Sequence, residues 1–252
     1  GIEVAGRLLH GVVPGATLTA VCARDRARDR GLNLSMVRWV DHPVELTAAG
    51  DVDLVVELIG GTGDPAAALI DSALAAGKSV VTANKALLAE RAMQLAVVSE
   101  ASGASLAYEA AVAGGIPVIK TLREALAGNK INRISGILNG TCNFILSQME
   151  SDGVSFEAAL KNAQKFGFAE AEPDLDISGM DAAQKLALLA GLAFGVQPDV
   201  SQISVTGIEA ITDQDISFAN EFNSVVRLIA IAEETPDGLV QCVAPMLVKR
   251  TH

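Results

Sequence analysis

Aromatic residues are scarce: seven Phe, one Tyr and one Trp make up 4% of the 252-residue chain. A core must then be assembled from Ala, Val, Leu and Ile, a mix that suits helices packed on a buried sheet. Positive charge is also sparse. The formal net charge is −11, and the one basic run, Arg24 to Arg30, is interrupted by Asp25 and Asp29. Phosphate neutralisation needs clustered Lys and Arg, so nucleic acid is not expected as a partner. Cysteine is limited to Cys22, Cys142 and Cys242, an odd number without metal-like spacing. Reduced thiols in a cytoplasmic protein are the expectation. Long apolar runs are missing as well: the richest, Leu186 to Val196, is about half of the ~20 residues a membrane-spanning helix requires. Neither a signal peptide nor a membrane partner is expected. What remains, 50% hydrophobic and 19% charged, is the composition of an ordinary folded protein.

The first half alternates strand and helix signals. Ala16 to Ala23 reads as a strand, Val52 to Ile59 as a buried strand, and Ser79 to Ala83 as a short one. Between and after them, Pro65 to Ala76 and Ala86 to Ala101 have helical composition, and Ser105 to Val112 is a further strand candidate. Such repetition implies a parallel sheet with helices on both faces and ligands at the strands' carboxyl ends. After about Gly115 the pattern changes. A helix over 117–127 leads to a strand, Ile131 to Leu138, then helices over 143–150 and 156–166. A carboxylate-rich loop over 167–179 precedes an apolar helix over 181–194, and the remainder mixes strands with one polar helix. The reading is an α/β Rossmann-like domain lacking its first strand, residues 1–115, followed by an α+β domain, residues 116–252, incomplete at its C-terminal end.

Several positions fit a dinucleotide site. Gly1 fits the last glycine of a G-x-G-x-x-G turn, though one glycine is no fingerprint. The strand over 16–23 runs into Arg24-Asp25. An Arg there favours the 2′-phosphate of NADP and an acid the 2′-hydroxyl of NAD, so both cofactors stay open, as does a solvated turn. Gly60 and Gly61 follow the strand over 52–59, where the lack of a Cβ permits close approach of a ribose or nicotinamide, or simply a tight turn. Thr82, Asn84 and Lys85 end the next strand in the same way, and Lys85 would point into the crevice.

Residues 167–185 carry the most chemistry: Glu170, Glu172, Asp174, Asp176 and Asp181, then Lys185 within an apolar helix. Ser178, three residues before Asp181, resembles a capping arrangement. Asp181 and Lys185 are spaced i, i+4 and share a helix face; the plain reading is a surface pair worth about 0.2–0.5 kcal/mol. The functional reading is a substrate site, in which an amino-acid ammonium meets carboxylates and a lysine ammonium protonates a carbonyl oxygen.

The run Ala163-x-x-x-Gly167-Phe168-Ala169-Glu170-x-Glu172-Pro173-x-x-Asp176-Ile177-x-Gly179-x-Asp181-x-x-x-Lys185 resembles the homoserine dehydrogenase signature. Val81 to Leu88, Tyr108 to Ile119 and Gly136 to Leu146 match the same family in the same order, and the stretch from Ala244 to His252 is compatible. The resemblance implies hydride transfer between NAD(P) and L-homoserine or L-aspartate 4-semialdehyde, in threonine, methionine and isoleucine biosynthesis. It implies that Lys185 is the proton donor, that Lys85 assists, and that Glu170, Asp176, Asp181 and Thr141 serve the substrate. Asn139, Gly140 and Thr141 would line the junction between cofactor and substrate, with Gly167 approaching the cofactor. It further implies a sodium-like cation on Glu109, Val112, Gly114 and Ile116, mainly through carbonyls, and a homodimer or higher oligomer. A turn supporting the domain junction accounts for those four residues equally well. The family's opening strand and final segment have no counterpart here. Two rivals stand beside this reading: a thiol-dependent semialdehyde dehydrogenase using Cys142, and a non-catalytic nucleotide sensor.

Overall fold

The computed structural model describes residues 1–251, and His252 lies outside the described residues. The chain divides into two compact units, Gly1–Ala111 and Val112–His252, each described here by itself.

The first unit opens with helix α1 (Ile2–Leu9), none of whose residues is buried. Two parallel ladders follow. Strand β1 (Ala20–Val21) pairs with β2 (Arg38–Trp39), and after a short helix α2 (Glu45–Ala48) a second ladder begins. It consists of β3 (Leu54–Glu57), β4 (Ser79–Thr82) and β5 (Leu106–Ala107), all parallel and in that order. Helices α3 (Ala66–Ala75) and α4 (Lys85–Ser102) make the crossovers. Pro65 occupies the cap position of α3, and Gly77 and Gly103 follow the two helices in the left-handed conformation. Leu69, Ile70 and Leu74 of α3 and Leu87, Leu88 and Leu95 of α4 are buried with Val55 and Val80. Three expectations need correction. The strand over 16–23 shrinks to two residues. The strand over 105–112 also keeps only two, because Glu109–Val112 turns into a short helix, α5. Strand β3 is buried on one face only: Val55 and Glu57 point inward, whereas Leu54 and Val56 are exposed. The strand's pattern is therefore alternating rather than uniformly buried.

The second unit starts with a helical turn, α6 (Val118–Lys120), that widens into a π-turn over Thr121–Ala125; a single helix was expected there. Strand β6 (Arg133–Gly136) leads to α7 (Gly140–Asp152), α8 (Phe156–Lys165), the short α9 (Asp174–Ile177) and α10 (Met180–Phe194). A 3-10 turn (Val200–Gln202), β7 (Ser204–Val205) and α11 (Asp213–Glu221) precede the long hairpin β8 (Ser224–Thr235) and β9 (Gly238–Lys249). The sheet order is β6-β8-β9-β7, with β7 parallel to β9 and the other pairs antiparallel. Val226, Leu228, Ala230 and Ala232 of β8 face a core filled by Ile145 and Leu146 of α7 and by Ala183, Leu186 and Ala187 of α10. The sheet's β6 edge is completed by a side chain. β6 stops opposite Ala230, and Asn143 takes over by accepting from the Leu228 N–H (3.0 Å) and donating to its carbonyl (3.2 Å). The same end of β6 delivers Leu138 and Asn139 to the start of α7. Among the described residues no helix is long and apolar enough to cross a membrane.

Candidate active site

The polar centre of the second unit forms where β6 ends, α7 begins and α10 begins. Asn139, 3% exposed, is the N-cap of α7: its Oδ1 accepts from the Cys142 N–H at 2.8 Å. Its amide nitrogen donates to Asp176 Oδ1 (2.7 Å) and to Asp181 Oδ2 (2.9 Å), joining two carboxylates that would otherwise repel. Lys185 lies one turn beyond Asp181 on α10, and its Nζ donates to the same Asp181 Oδ2 (2.8 Å) and to the Leu138 carbonyl (2.9 Å). Asp181 is only 6% exposed and Lys185 half-buried, so this pair sits in the packed interior rather than on a solvated face. The i, i+4 spacing thus builds a fixed ammonium, held by a carboxylate and a carbonyl. Charge-assisted bonds of this kind are stronger than neutral ones. The expected cap at Ser178 does not form. Gly179, at φ +82°, is the N-cap without a side-chain bond, and Asp181 is engaged instead by Asn139 and Lys185.

Around this centre, Thr141 donates its hydroxyl to the Phe168 carbonyl at 2.6 Å, tying the loop after α8 to α7. Phe144 stacks on Phe168 with centroids 4.4 Å apart. Gly167 takes φ +77° in that loop, and Glu170 is exposed just beyond it, its backbone carbonyl receiving the Gln164 amide. Cys142 is buried and donates to the Asp176 carbonyl at 2.9 Å. Burial first, then the charges of Asp176, Glu209 and Asp181, pushes this thiol's pKa up to about 12. A buried thiol so reluctant to ionise is a poor nucleophile, which argues against the thiol-dependent rival.

In the first unit the carboxyl ends of β3 and β4 are joined by a network that sequence reasoning did not anticipate. Glu57, wholly buried, accepts from the N–H groups of Ile59 (2.6 Å) and Gly60 (2.9 Å) and from the Thr82 hydroxyl (2.5 Å). Thr82 Oγ1 in turn accepts from the Asn84 N–H (2.9 Å). The Asn84 side chain caps α4 through Leu87 and donates to the Gly61 carbonyl at 2.7 Å. Thr82 and Asn84, expected to meet a cofactor, are buried, and their side chains hold this turn. Gly60 and Gly61 both adopt φ +82°, and a Cβ built at either meets nothing within 4 Å. The space over the turn is open to a ligand, and Lys85 begins α4 beside it, half-buried.

The other expected residues are spread along the chain. Gly1 caps α1 at the exposed amino end, and Arg24 is exposed in the loop after β1. There Asp25 Oδ1 holds its own loop through the Ala27 N–H (2.9 Å), and Arg26 and Arg30 lie over the Trp39 ring. Glu109 and the buried Val112 bound α5, Gly114 takes φ +60°, and Ile116 is exposed. No group of three or more His, Cys, Asp or Glu that could hold a metal ion occurs among the described residues, a finding that does not bear on a site of backbone carbonyls.

Comparison with known proteins bears on both units. A family model described as "Homoserine dehydrogenase, NAD binding domain" matches residues 1–109, and one described as "Homoserine dehydrogenase" matches residues 117–252. The chain is 42% identical over 235 residues to a homoserine dehydrogenase of Neisseria gonorrhoeae, covering 93% of this chain and 54% of that protein. A crystal structure of a homoserine dehydrogenase from Thiobacillus denitrificans superposes with TM-score 0.89 at 39% identity, covering 94% of this chain and 55% of that one. A hyperthermophilic archaeal homoserine dehydrogenase in complex with NADPH is similar at TM-score 0.71 and 29% identity, covering 84% of this chain and 61% of that one. The chain spans about half the length of the curated relatives it matches. Two family models in the expected order, and an ordered acid–lysine centre in the second unit, lead to one conclusion: this chain belongs to the homoserine dehydrogenase family.

Proposed function

We propose that the chain carries the cofactor- and substrate-binding portion of a homoserine dehydrogenase, interconverting L-homoserine and L-aspartate 4-semialdehyde with NADP or NAD in threonine, methionine and isoleucine biosynthesis. The observation that carries this reading is the Lys185 ammonium, held half-buried by Asp181 and the Leu138 carbonyl. A bound nicotinamide cofactor supplies the hydride. In the reductive direction Lys185 gives a proton to the aldehyde oxygen as negative charge develops there, and in the oxidative direction it takes that proton back. Asp181 keeps the lysine oriented, and Asn139 keeps Asp176 beside Asp181. Glu170 and Asp181 receive the substrate ammonium, and Thr141 shapes the loop that carries Glu170. Lys85 assists proton handling at the cofactor side.

The open turn at Gly60 and Gly61 suits a ribose or nicotinamide. Gly1 and Gly167 serve the cofactor's approach, and the exposed Arg24 is suited to the 2′-phosphate of NADP, the cofactor form found in the archaeal relative. A monovalent cation on the carbonyls of Glu109, Val112, Gly114 and Ile116 belongs to the same proposal; such oxygen donors suit a hard cation, and no step passes through it. So does a cytoplasmic homodimer. The outer face of the β8–β9 hairpin presents Val225, Ile229, Ile231 and Met246 only half-buried, an apolar surface of the kind that marks a protein contact.

The test is a steady-state assay on the full-length protein, following nicotinamide absorbance with homoserine and either NAD or NADP. Lys185→Met should lower kcat by about 10²- to 10⁴-fold, the range ascribed to a positioned proton donor. Turnover unchanged in a folded Lys185→Met protein would remove the proton-donor role, and no homoserine-dependent reduction in the unaltered protein would remove the reading altogether.

A further inference from the structure

The Glu57 carboxylate is buried in the first unit without appearing in the proposed chemistry. It stands at the last position of β3, wholly enclosed, and accepts from backbone amides and a hydroxyl. Its oxygens instead gather three donors from two different segments: Oε1 takes the Ile59 and Gly60 N–H groups, and Oε2 takes the Thr82 hydroxyl at the end of β4. Through Thr82 Oγ1 and Asn84 the same network reaches the Gly61 carbonyl and the first turn of α4, which begins with Lys85.

The consequence is chemical as well as mechanical. At the carboxyl edge of a parallel sheet, free backbone N–H groups are a ready site for phosphate. Here two of those groups are already directed into the protein, onto a carboxylate. The turn is therefore unsuited to an anion and keeps only its open, side-chain-free surface for a flat or sugar-like group. We infer that Glu57 is a positioning residue for the cofactor: with Thr82 and Asn84 it locks the Gly60-Gly61 turn and the start of α4 into the shape that receives the nicotinamide–ribose half. This inference rests on the dinucleotide-binding role proposed above. Neither Glu57 nor Thr82 exposes any surface, so any effect of changing them on cofactor binding must travel through the turn.

The experiment is a fluorescence titration of the full-length protein with NADPH and NADH, using Thr82→Val, Thr82→Ser and Glu57→Gln. Thr82→Val removes the hydroxyl at nearly constant shape and strands both the Glu57 oxygen and the Asn84 N–H; Thr82→Ser keeps the hydroxyl. The cofactor Kd should rise about tenfold in Thr82→Val and in Glu57→Gln, the scale of one buried polar group left unsatisfied. It should return to within about twofold of the original in Thr82→Ser, while the KM for homoserine stays within a similar factor, because substrate is held by other residues. Thr82→Val binding the cofactor as tightly as the unaltered protein would overturn the inference. Failure of the unaltered protein to bind either cofactor would instead overturn the dinucleotide reading, and the inference with it. Hydrogen exchange on the unaltered protein adds a check that no folding defect can obscure. The Ile59 and Gly60 amides, though in an exposed turn, should exchange slowly, and rapid exchange there would also overturn it.

Discussion

Replacing Asn139 by Asp changes one atom's role and nothing of the side chain's size. The N-cap survives, since an Asp oxygen accepts from the Cys142 N–H as the Asn oxygen does. What is lost is the amide nitrogen that donates to both Asp176 and Asp181, at 2.7 and 2.9 Å. In its place stands a third carboxylate, at a position 3% exposed. Like charges about 3 Å apart repel by roughly 5 kcal/mol at an effective dielectric of about 20, an upper limit that relaxation and proton uptake reduce. A net loss of about 3 kcal/mol follows, the scale of breaking a buried charged hydrogen bond. For a unit of this size that corresponds to a fall in melting temperature of roughly 10 °C. The sign with pH is fixed. The folded state of Asn139→Asp takes up a proton more readily than the unfolded chain, because a protonated carboxyl again donates to its neighbours. The deficit should therefore be full at neutral pH and shrink as the pH falls. Asn139→Ala is the control: it loses cap and donor but adds no third carboxylate, so its deficit should close less in acid than that of Asn139→Asp. Calorimetry of the three proteins across pH is the assay. An Asn139→Asp protein as stable as the original at neutral pH, or one whose deficit ignores pH, would refute the bridging role of this amide.

Other expectations follow from the same structure. At about pH 8 iodoacetamide should label Cys22 or Cys242 but not Cys142, whose thiol is buried and pushed up to about 12; peptide mapping that finds folded Cys142 modified would contradict this. Gly207→Ala should destabilise by about 2 kcal/mol or more, since its Cβ would lie 2.5 Å from the Ile177 carbonyl oxygen and 2.8 Å from Ser178 Cα, backbone that cannot swing aside. Thermal melts of that variant read the effect, and an unchanged midpoint would mean that the backbone there yields. Leu186→Ala, in the wholly buried stripe of α10, should cost about 2–5 kcal/mol by denaturant titration, and a loss below about 1 kcal/mol would show that the core refills the space.

Much of this was legible in the chain. Helices α3, α4, α8 and α10 lie within a residue or so of their expected bounds, because Pro65, Gly77 and the apolar run after Lys185 are strong local signals. The pairing of Asp181 with Lys185 was readable from helical spacing alone. What could not be read was set by tertiary hydrogen bonding. Asn139 was expected only at the junction of cofactor and substrate, since the helix after it was read as starting near 143; its cap of α7 and its bridge to Asp176 and Asp181, across 37 and 42 residues, were not legible. Glu57 left a fainter sign: an acid at an inward position of an alternating strand, which burial allows only with donors around it. Strand lengths at 16–23 and 105–112 were overread, since apolar β-prone residues there lack ladder partners for most of their length.

The most direct test of the account is isotopic. Homoserine carrying deuterium at C4 is incubated with the full-length protein and NADP or NAD, and the reduced nicotinamide is analysed by mass spectrometry. The account predicts one deuterium on each reduced cofactor, with the rate, though not the destination of the label, collapsing in Lys185→Met. Reduced cofactor without deuterium, or no homoserine-dependent reduction at all, would contradict it.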